Sequence, residues 1–318
     1  MGGSVVTELA EKLAPYPSLS AIVSALLASW PDHQKYVEKR FANDDDAFLA
    51  RTEELAAVSL RSIGEGELPL YVEDYRWVSE RLLEEEIHFQ REGSYRLSTF
   101  QEAYDEVYSN VEYMGRYMRG LMISQIIWDQ HARAFDVFRQ EFLAALAPDS
   151  RYLEIGPGHG IFLYFASQQA NIARLEAWDV SEGSIIETRE ALHTLGVTRE
   201  VSLVQQDILK APERHNEFDA AVISEVLEHL ERPDLALRSL HAALKPGGRI
   251  FIHVPINSPA PDHIYLWREI EEFHRFVEAQ GFRIDIAHSL PVTGYTLERA
   301  IRRGVSISCI LICTRVDG

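Results

Sequence analysis

The chain has 318 residues, 46% of them hydrophobic and 25% charged, which is globular composition with room for a full core and for two compact units. The formal net charge of −18 argues against nucleic acid and acidic membrane surfaces as partners, because both are held through Lys and Arg. A neutral or cationic small molecule is the easier substrate, and nucleic acid is the unfavoured one.

The first 148 residues read as an all-α region. Helical spacing of apolar residues is visible from Leu19 to Trp30, from Phe48 to Ile63, and over a long run from Tyr104 to Leu146 whose weak points are Gly115 and Gly120. The early apolar run Ala21 to Trp30 is about half a membrane span and lacks a basic flank and a cleavage site, so no membrane association and a cytoplasmic location are expected. The helical region invites two roles: a lid that shapes a substrate pocket, with Tyr113, Tyr117, Met118, Trp128 and His131 facing it, or a homodimer contact. Filling of a helix-packing core by the same Met and aromatic residues is the competing reading.

Ala147-Pro148-Asp149-Ser150 ends the helical half, and residues 149–318 form the second expected domain. Strand and helix then alternate. RYLEI, ARLEAWDV, VSLVQQD, FDAAVIS and GRIFIHVP read as strands, with helices through Gln169 and over Glu182 to Leu195, Pro233 to Leu244 and Trp267 to Gln280. GFRIDIAHSL and VSISCILICTR add two more strands. The pattern predicts an α/β fold with a doubly wound, mostly parallel seven-stranded sheet, antiparallel at one edge. The only cysteines, Cys309 and Cys313, lie four apart on the last strand. They are separated by roughly 13 Å and so expected as free buried thiols.

Between the first strand and its helix stands LEIGPGHGIF, with Gly156, Gly158 and Gly160 at alternate positions. A dinucleotide loop places its third glycine one residue later, where Ile161 stands here. Glu154, two residues before Gly156, is awkward beside a pyrophosphate and suits the ammonium of an amino-acid moiety. This loop, Trp178-Asp179, Asp207, FDAAVISEVLEHL and LKPGG occur in the order of a class I S-adenosylmethionine-dependent methyltransferase. The C-terminal half resembles that family, in the branch that includes ubiquinone-biosynthesis O-methyltransferases. The resemblance implies a Rossmann-like fold and S-adenosylmethionine as cofactor. The main chain at Gly156 and Gly158 would meet its amino-acid part, Asp179 the ribose hydroxyls, Asp207 the adenine amino group, Ile208 the ring, and Ser224 and Glu225 the sulfonium.

In SEVLEHLERP, Glu225, Glu228 and His229 are spaced to share one face of a helix beginning there, and His263 follows in a loop after the fifth strand. Two carboxylates and two imidazoles make a donor set for Mg, Mn, Fe or Zn. The pattern resembles the metal site of small-RNA 3′-end 2′-O-methyltransferases. Without a metal, the glutamate and histidine cap the helix or line the pocket, and His229 or His263 is the candidate base. The expected function is methylation of a small molecule, at a hydroxyl, in specialised metabolism. A metal-dependent RNA 2′-O-methyltransferase and a non-catalytic cofactor-binding regulatory protein are the alternatives.

Overall fold

The computed structural model describes residues 2–210 and 214–317. The helical half contains α1 (Gly2–Leu13), α2 (Pro17–Ser29), α3 (Gln34–Phe41), α4 (Asp46–Ile63), α5 (Leu68–Glu92), the short α6 (Phe100–Ala103), α7 (Val111–Ile127) and α8 (Asp129–Val137). Asp45 caps α4 by accepting from the Phe48 N–H at 2.8 Å. The 25-residue α5 is a helix that the sequence reading did not separate from its surroundings. None of the described helices is long and apolar enough to cross a membrane.

The run from Tyr104 to Leu146 is not one helix weakened at its glycines. A π-helical turn over Tyr104–Tyr108 precedes α7, whose N-terminus is capped by the Asn110 side chain accepting from the Tyr113 N–H at 3.0 Å. The second break falls at Trp128, which is extended (φ −90°, ψ 120°) while its indole N–H donates to the Tyr75 hydroxyl at 3.1 Å. Gly120 lies inside α7 because α5 crosses there. A Cβ on it would stand 2.5 Å from Val78 Cγ2 and 2.8 Å from the Asp74 carbonyl oxygen. Asp74 itself is buried and takes Arg116 and Arg119 at 2.8 and 2.6 Å, so the α5–α7 contact is both close and ionic.

The second half contains β1 (Ser150–Ile155), α9 (Ile161–Ser167), β2 (Ile172–Asp179), α10 (Glu182–Thr194), β3 (Val201–Gln205), β4 (Phe218–Ser224), α11 (Pro233–Ala243), β5 (Leu244–Ile256), α12 (Ile270–Glu278), β6 (Phe282–Pro291), α13 (Leu297–Arg303) and β7 (Ile307–Arg315). The seven described strands form one sheet in the order β3-β2-β1-β4-β5-β7-β6. β1 to β5 pair in parallel, and β7 pairs antiparallel with both β5 and β6. The predicted α/β class and antiparallel edge are thus those of the structure.

Both sheet faces are apolar, as a sheet covered on both sides requires. Phe251 and Ile310 pack into the core shared with the helical half, while Ile250, Ile252, Cys309 and Cys313 face the core under the opposite helices. Both cysteines are buried free thiols. By strand alternation Glu154, Ser224, His253 and Ser308 lie on the face covered by the helical half, toward the strand ends where the parallel strands stop.

Candidate functional site

β1 runs out at Gly156, whose N–H donates to the Trp178 carbonyl at 2.9 Å, tying the loop to the end of β2. Gly156 and Gly158 have φ of +65° and +50°, a region closed to most side chains. At Gly156 space forbids one too, since a Cβ would lie 2.8 Å from Val226 Cγ2. Behind the loop Glu154 is buried, and the Tyr152 hydroxyl donates to its Oε2 at 2.7 Å. Burial pushes the Glu154 carboxyl up to about 8. At the end of β2, Asp179 accepts from the Ser181 N–H at 2.8 Å, and burial raises its carboxyl above the ordinary value.

β4 ends differently from the reading of SEVLEHL as the start of a helix. Glu225 has φ +53°, its N–H donates to the His253 carbonyl at 2.9 Å, and only a 3₁₀ turn, Leu227–His229, follows. With this turn in place of a helix, Glu225 does not share a helix face with Glu228 and His229. Its Oε1 lies 3.0 Å from His253 Nε2, without the alignment of a hydrogen bond, while His253 Nδ1 meets Ser224 Oγ at 3.1 Å. Burial pushes Glu225 up to about 8, helped by the neighbouring Asp262 charge.

Glu228, His229 and His263 do come together, each offering a donor atom within 4.8 Å of the others. Glu225 is not part of that group, so the four-residue donor set expected from the sequence reduces to three. His229 Nδ1 lies 3.1 Å from the Asp262 carbonyl oxygen and 3.1 Å from the Tyr108 hydroxyl; His263 Nδ1 lies 2.6 Å from the Ser258 carbonyl oxygen. With both Nδ1–H groups donating to carbonyls, each ring keeps Nε2 as its bare nitrogen. Glu228 is fully buried, and neither of its carboxylate oxygens has a hydrogen-bond partner. Burial first, then Glu225, drives its carboxyl far up. Asp262 accepts from the hydroxyls of Tyr108 and Tyr117 at 3.2 and 3.1 Å, so the helical half reaches directly into the cluster.

One cavity of about 360 Å³ joins these parts. Of the residues expected to hold the cofactor, Glu154, Gly156, Gly158, Asp179, Ser224 and Glu225 line it. Gly160, Asp207 and Ile208 do not. Gly160 serves as the left-handed residue before α9, and Asp207 Oδ1 is engaged by the Leu209 N–H at 2.9 Å. His229 and His263 line the cavity, as do Tyr117, Met118, Trp128 and His131 from the helical half. Tyr113 stands behind Tyr117, with ring centroids 6.2 Å apart, and edge-on to Trp77. No lysine or arginine among the described residues lines the cavity.

The sequence reading missed His159, His253, Asp262 and Tyr108. Burial pushes His159 and His131 down to about 4 and His253 to about 3, so all three rings are neutral at pH 7. His253 carried a signal in alternation: in IFIHVP it takes the face of Phe251, toward the helical half. Tyr108 carried none, because the π-helical turn that aims it has no sequence period.

Residues 127–302, more than half the chain, match the family model described as a methyltransferase domain. The ubiquinone/menaquinone biosynthesis C-methyltransferase UbiE of Ectopseudomonas mendocina is 32% identical over 111 residues, covering 35% of this chain and 43% of the relative. Its counterpart in Haemophilus ducreyi is 27% identical over 140 residues, covering 44% and 54%. The chain thus spans about half the length of these curated relatives or less. A solved structure from Galdieria sulphuraria, named for sarcosine and dimethylglycine methylation, has a TM-score of 0.50 at 14% identity, covering 62% of this chain and 88% of that one; this likeness concerns fold alone.

Proposed function

The chain belongs to the methyltransferase-domain family, and on that premise we propose that it transfers the methyl group of S-adenosylmethionine to a hydroxyl of a small molecule in specialised metabolism. The observation that carries the proposal is a single cavity running from the Gly156–Gly158 loop and Asp179 to the His229–His263 cluster. The loop and Glu154 suit the amino-acid part of the cofactor, and Asp179 suits its ribose. Ser224 and Glu225, at the switch between β1 and β4, fall where the sulfonium would sit.

Methyl transfer requires the attacking oxygen in line with the methyl group, so positioning can supply much of the rate. Enclosure by Tyr117, Met118 and Trp128 supports a role of the helical half in substrate binding and exclusion of water. The bare Nε2 of His229 or His263 would take the hydroxyl proton. A divalent cation is the alternative to that base, because it would take the same two Nε2 atoms. Glu228, with two unpartnered oxygens, and two histidines anchored through Nδ1 form the donor arrangement that metal-ligating histidines adopt. Such an ion, when bound, lowers the pKa of a hydroxyl.

Calorimetric titration with S-adenosylhomocysteine tests the common premise, and absence of binding at millimolar ligand would sink it. Elemental analysis after dialysis against Mn²⁺ or Zn²⁺ tests the ion. One equivalent retained by the wild type and lost in Glu228→Gln is the expected result, and equal retention in both removes Glu228 from the site.

A further inference from the structure

We infer that Thr188 of α10 is a positioning residue for the cofactor: its hydroxyl fixes the Gly158–His159 peptide so that the His159 N–H is presented to the carboxylate of the cofactor's amino-acid part. The inference rests on the reading above that S-adenosylmethionine lies against this loop.

One hydrogen bond that leaves its helix carries it. A threonine inside a helix commonly returns its hydroxyl to the carbonyl four residues back, as Thr52 of α4 does to Phe48 at 2.8 Å. Thr188, fully buried within α10, donates instead to the Gly158 carbonyl at 2.8 Å. Its methyl group lies toward Gly160, where a Cβ would stand 3.6 Å from Thr188 Cγ2. Valine has the same branched shape, so packing alone does not call for the hydroxyl.

Peptide geometry says what the bond does. The described peptides include no cis bond, and in a trans peptide the C=O and N–H point in opposite directions. Holding the Gly158 carbonyl toward α10 therefore turns the His159 N–H away from α10. Gly158 and His159 line the cavity and no described residue of α10 does, so that direction is the cavity side. The N–H groups of Gly156 and Gly160 are tied to the Trp178 and Pro157 carbonyls at 2.9 and 2.8 Å, whereas those of Gly158 and His159 have no backbone acceptor among the described residues. A free N–H suits a carboxylate, the counterpart of the ammonium that suits Glu154.

The same helix begins at the ribose end of the cavity. Ser181 caps α10 by accepting from the Ser184 N–H at 3.2 Å, and Asp179 Oδ1 accepts from the Ser181 N–H at 2.8 Å. One helix thus holds both Asp179 and the Gly158–His159 peptide.

The test separates the hydroxyl of Thr188 from its methyl. Thr188→Val keeps the shape and deletes the donor; Thr188→Ser keeps the donor and deletes the methyl beside Gly160. Calorimetric titration with S-adenosylhomocysteine should show binding about tenfold weaker in Thr188→Val, the equivalent of one misdirected hydrogen bond, and within about threefold of wild type in Thr188→Ser. Melting temperatures should run the other way, lower by about 2–4 °C in Thr188→Ser and within about 2 °C of wild type in Thr188→Val. In protein labelled with nitrogen-15 histidine, the His159 backbone amide, identified by its loss in His159→Gln, should shift when wild type is saturated with S-adenosylhomocysteine.

Affinity that survives in Thr188→Val, or that falls as far in Thr188→Ser, overturns the inference. So does a melting temperature lowered further in Thr188→Val than in Thr188→Ser, or a His159 amide that the saturating ligand leaves in place. Failure of S-adenosylhomocysteine to bind the wild type overturns instead the methyltransferase reading beneath it.

Discussion

Glu154 should make cofactor binding depend on pH in a way that can be computed in advance. Its carboxyl, ordinarily near 4.5, is pushed up to about 8 by burial. At pH 7 it therefore holds its proton in roughly nine chains of ten. An ammonium group placed on it requires the carboxylate, so that proton must leave, at about 1.4 kcal/mol at pH 7 and about 2.7 kcal/mol at pH 6. The dissociation constant for S-adenosylhomocysteine should fall about tenfold per pH unit from roughly pH 6 to 8 and then level. Calorimetry in buffers of different ionisation enthalpy should count roughly 0.9 proton released at pH 7. Glu154→Gln should bind more weakly above pH 8 and lose the slope. An affinity flat from pH 6 to 8, or a slope that survives in Glu154→Gln, would refute the reasoning. The same group sets a trend in the cofactor-free protein. The unfolded chain releases this proton near 4.5 and the folded chain near 8, so the Glu154 contribution to stability declines as pH rises through that window.

Gly120→Ala, which in a free helix would stabilise by about 1 kcal/mol, should instead destabilise by about 1–3 kcal/mol, read from urea midpoints, because its Cβ meets the α5 backbone. An unchanged midpoint would mean that α5 and α7 separate without penalty. Arg40→Met should cost about 3–5 kcal/mol by leaving buried Asp44 with Arg133 alone, and a neutral result would show that the pair is dispensable. His253, held neutral with its pKa near 3, keeps its full contribution above 6.5 and loses it as the unfolded chain gains the proton; about 2 kcal/mol should be gone by pH 5. Urea unfolding of His253→Asn with a pH 7 to 5 slope equal to that of the wild type would contradict this.

How far the sequence could be read depended on whether a feature was local. The strands declare themselves through alternation, and the structure places them where that reading did; of the glycine loop, Gly156 and Gly158 line the cavity beside Glu154 and Gly160 does not. The long run after Tyr104 failed because what breaks it is tertiary: Trp128 leaves the helix where its indole reaches Tyr75, and Gly120 stays in the helix because α5 needs the space. Helical spacing suggested one face for Glu225, Glu228 and His229, yet Glu225 adopts a positive φ and parts from the other two. His253 and Asp262 join the site only through sheet register and a loop return, and no run of residues announces either. Tyr108 and Tyr117 lie more than a hundred residues from the Asp262 they bind, a distance that no motif spans.

The place of β7 bears on how the protein is made. Among the described strands it is the last in sequence but an inner strand of the sheet, hydrogen-bonded on both sides. During synthesis β5 and β6 must wait with bare edges until residues 307–315 leave the ribosome, and β6 has no other partner among the described strands. Bare edges of this kind recruit other chains. Loss of these few residues would therefore leave an aggregation-prone gap beside Ser224 and His253 rather than a slightly shorter enzyme.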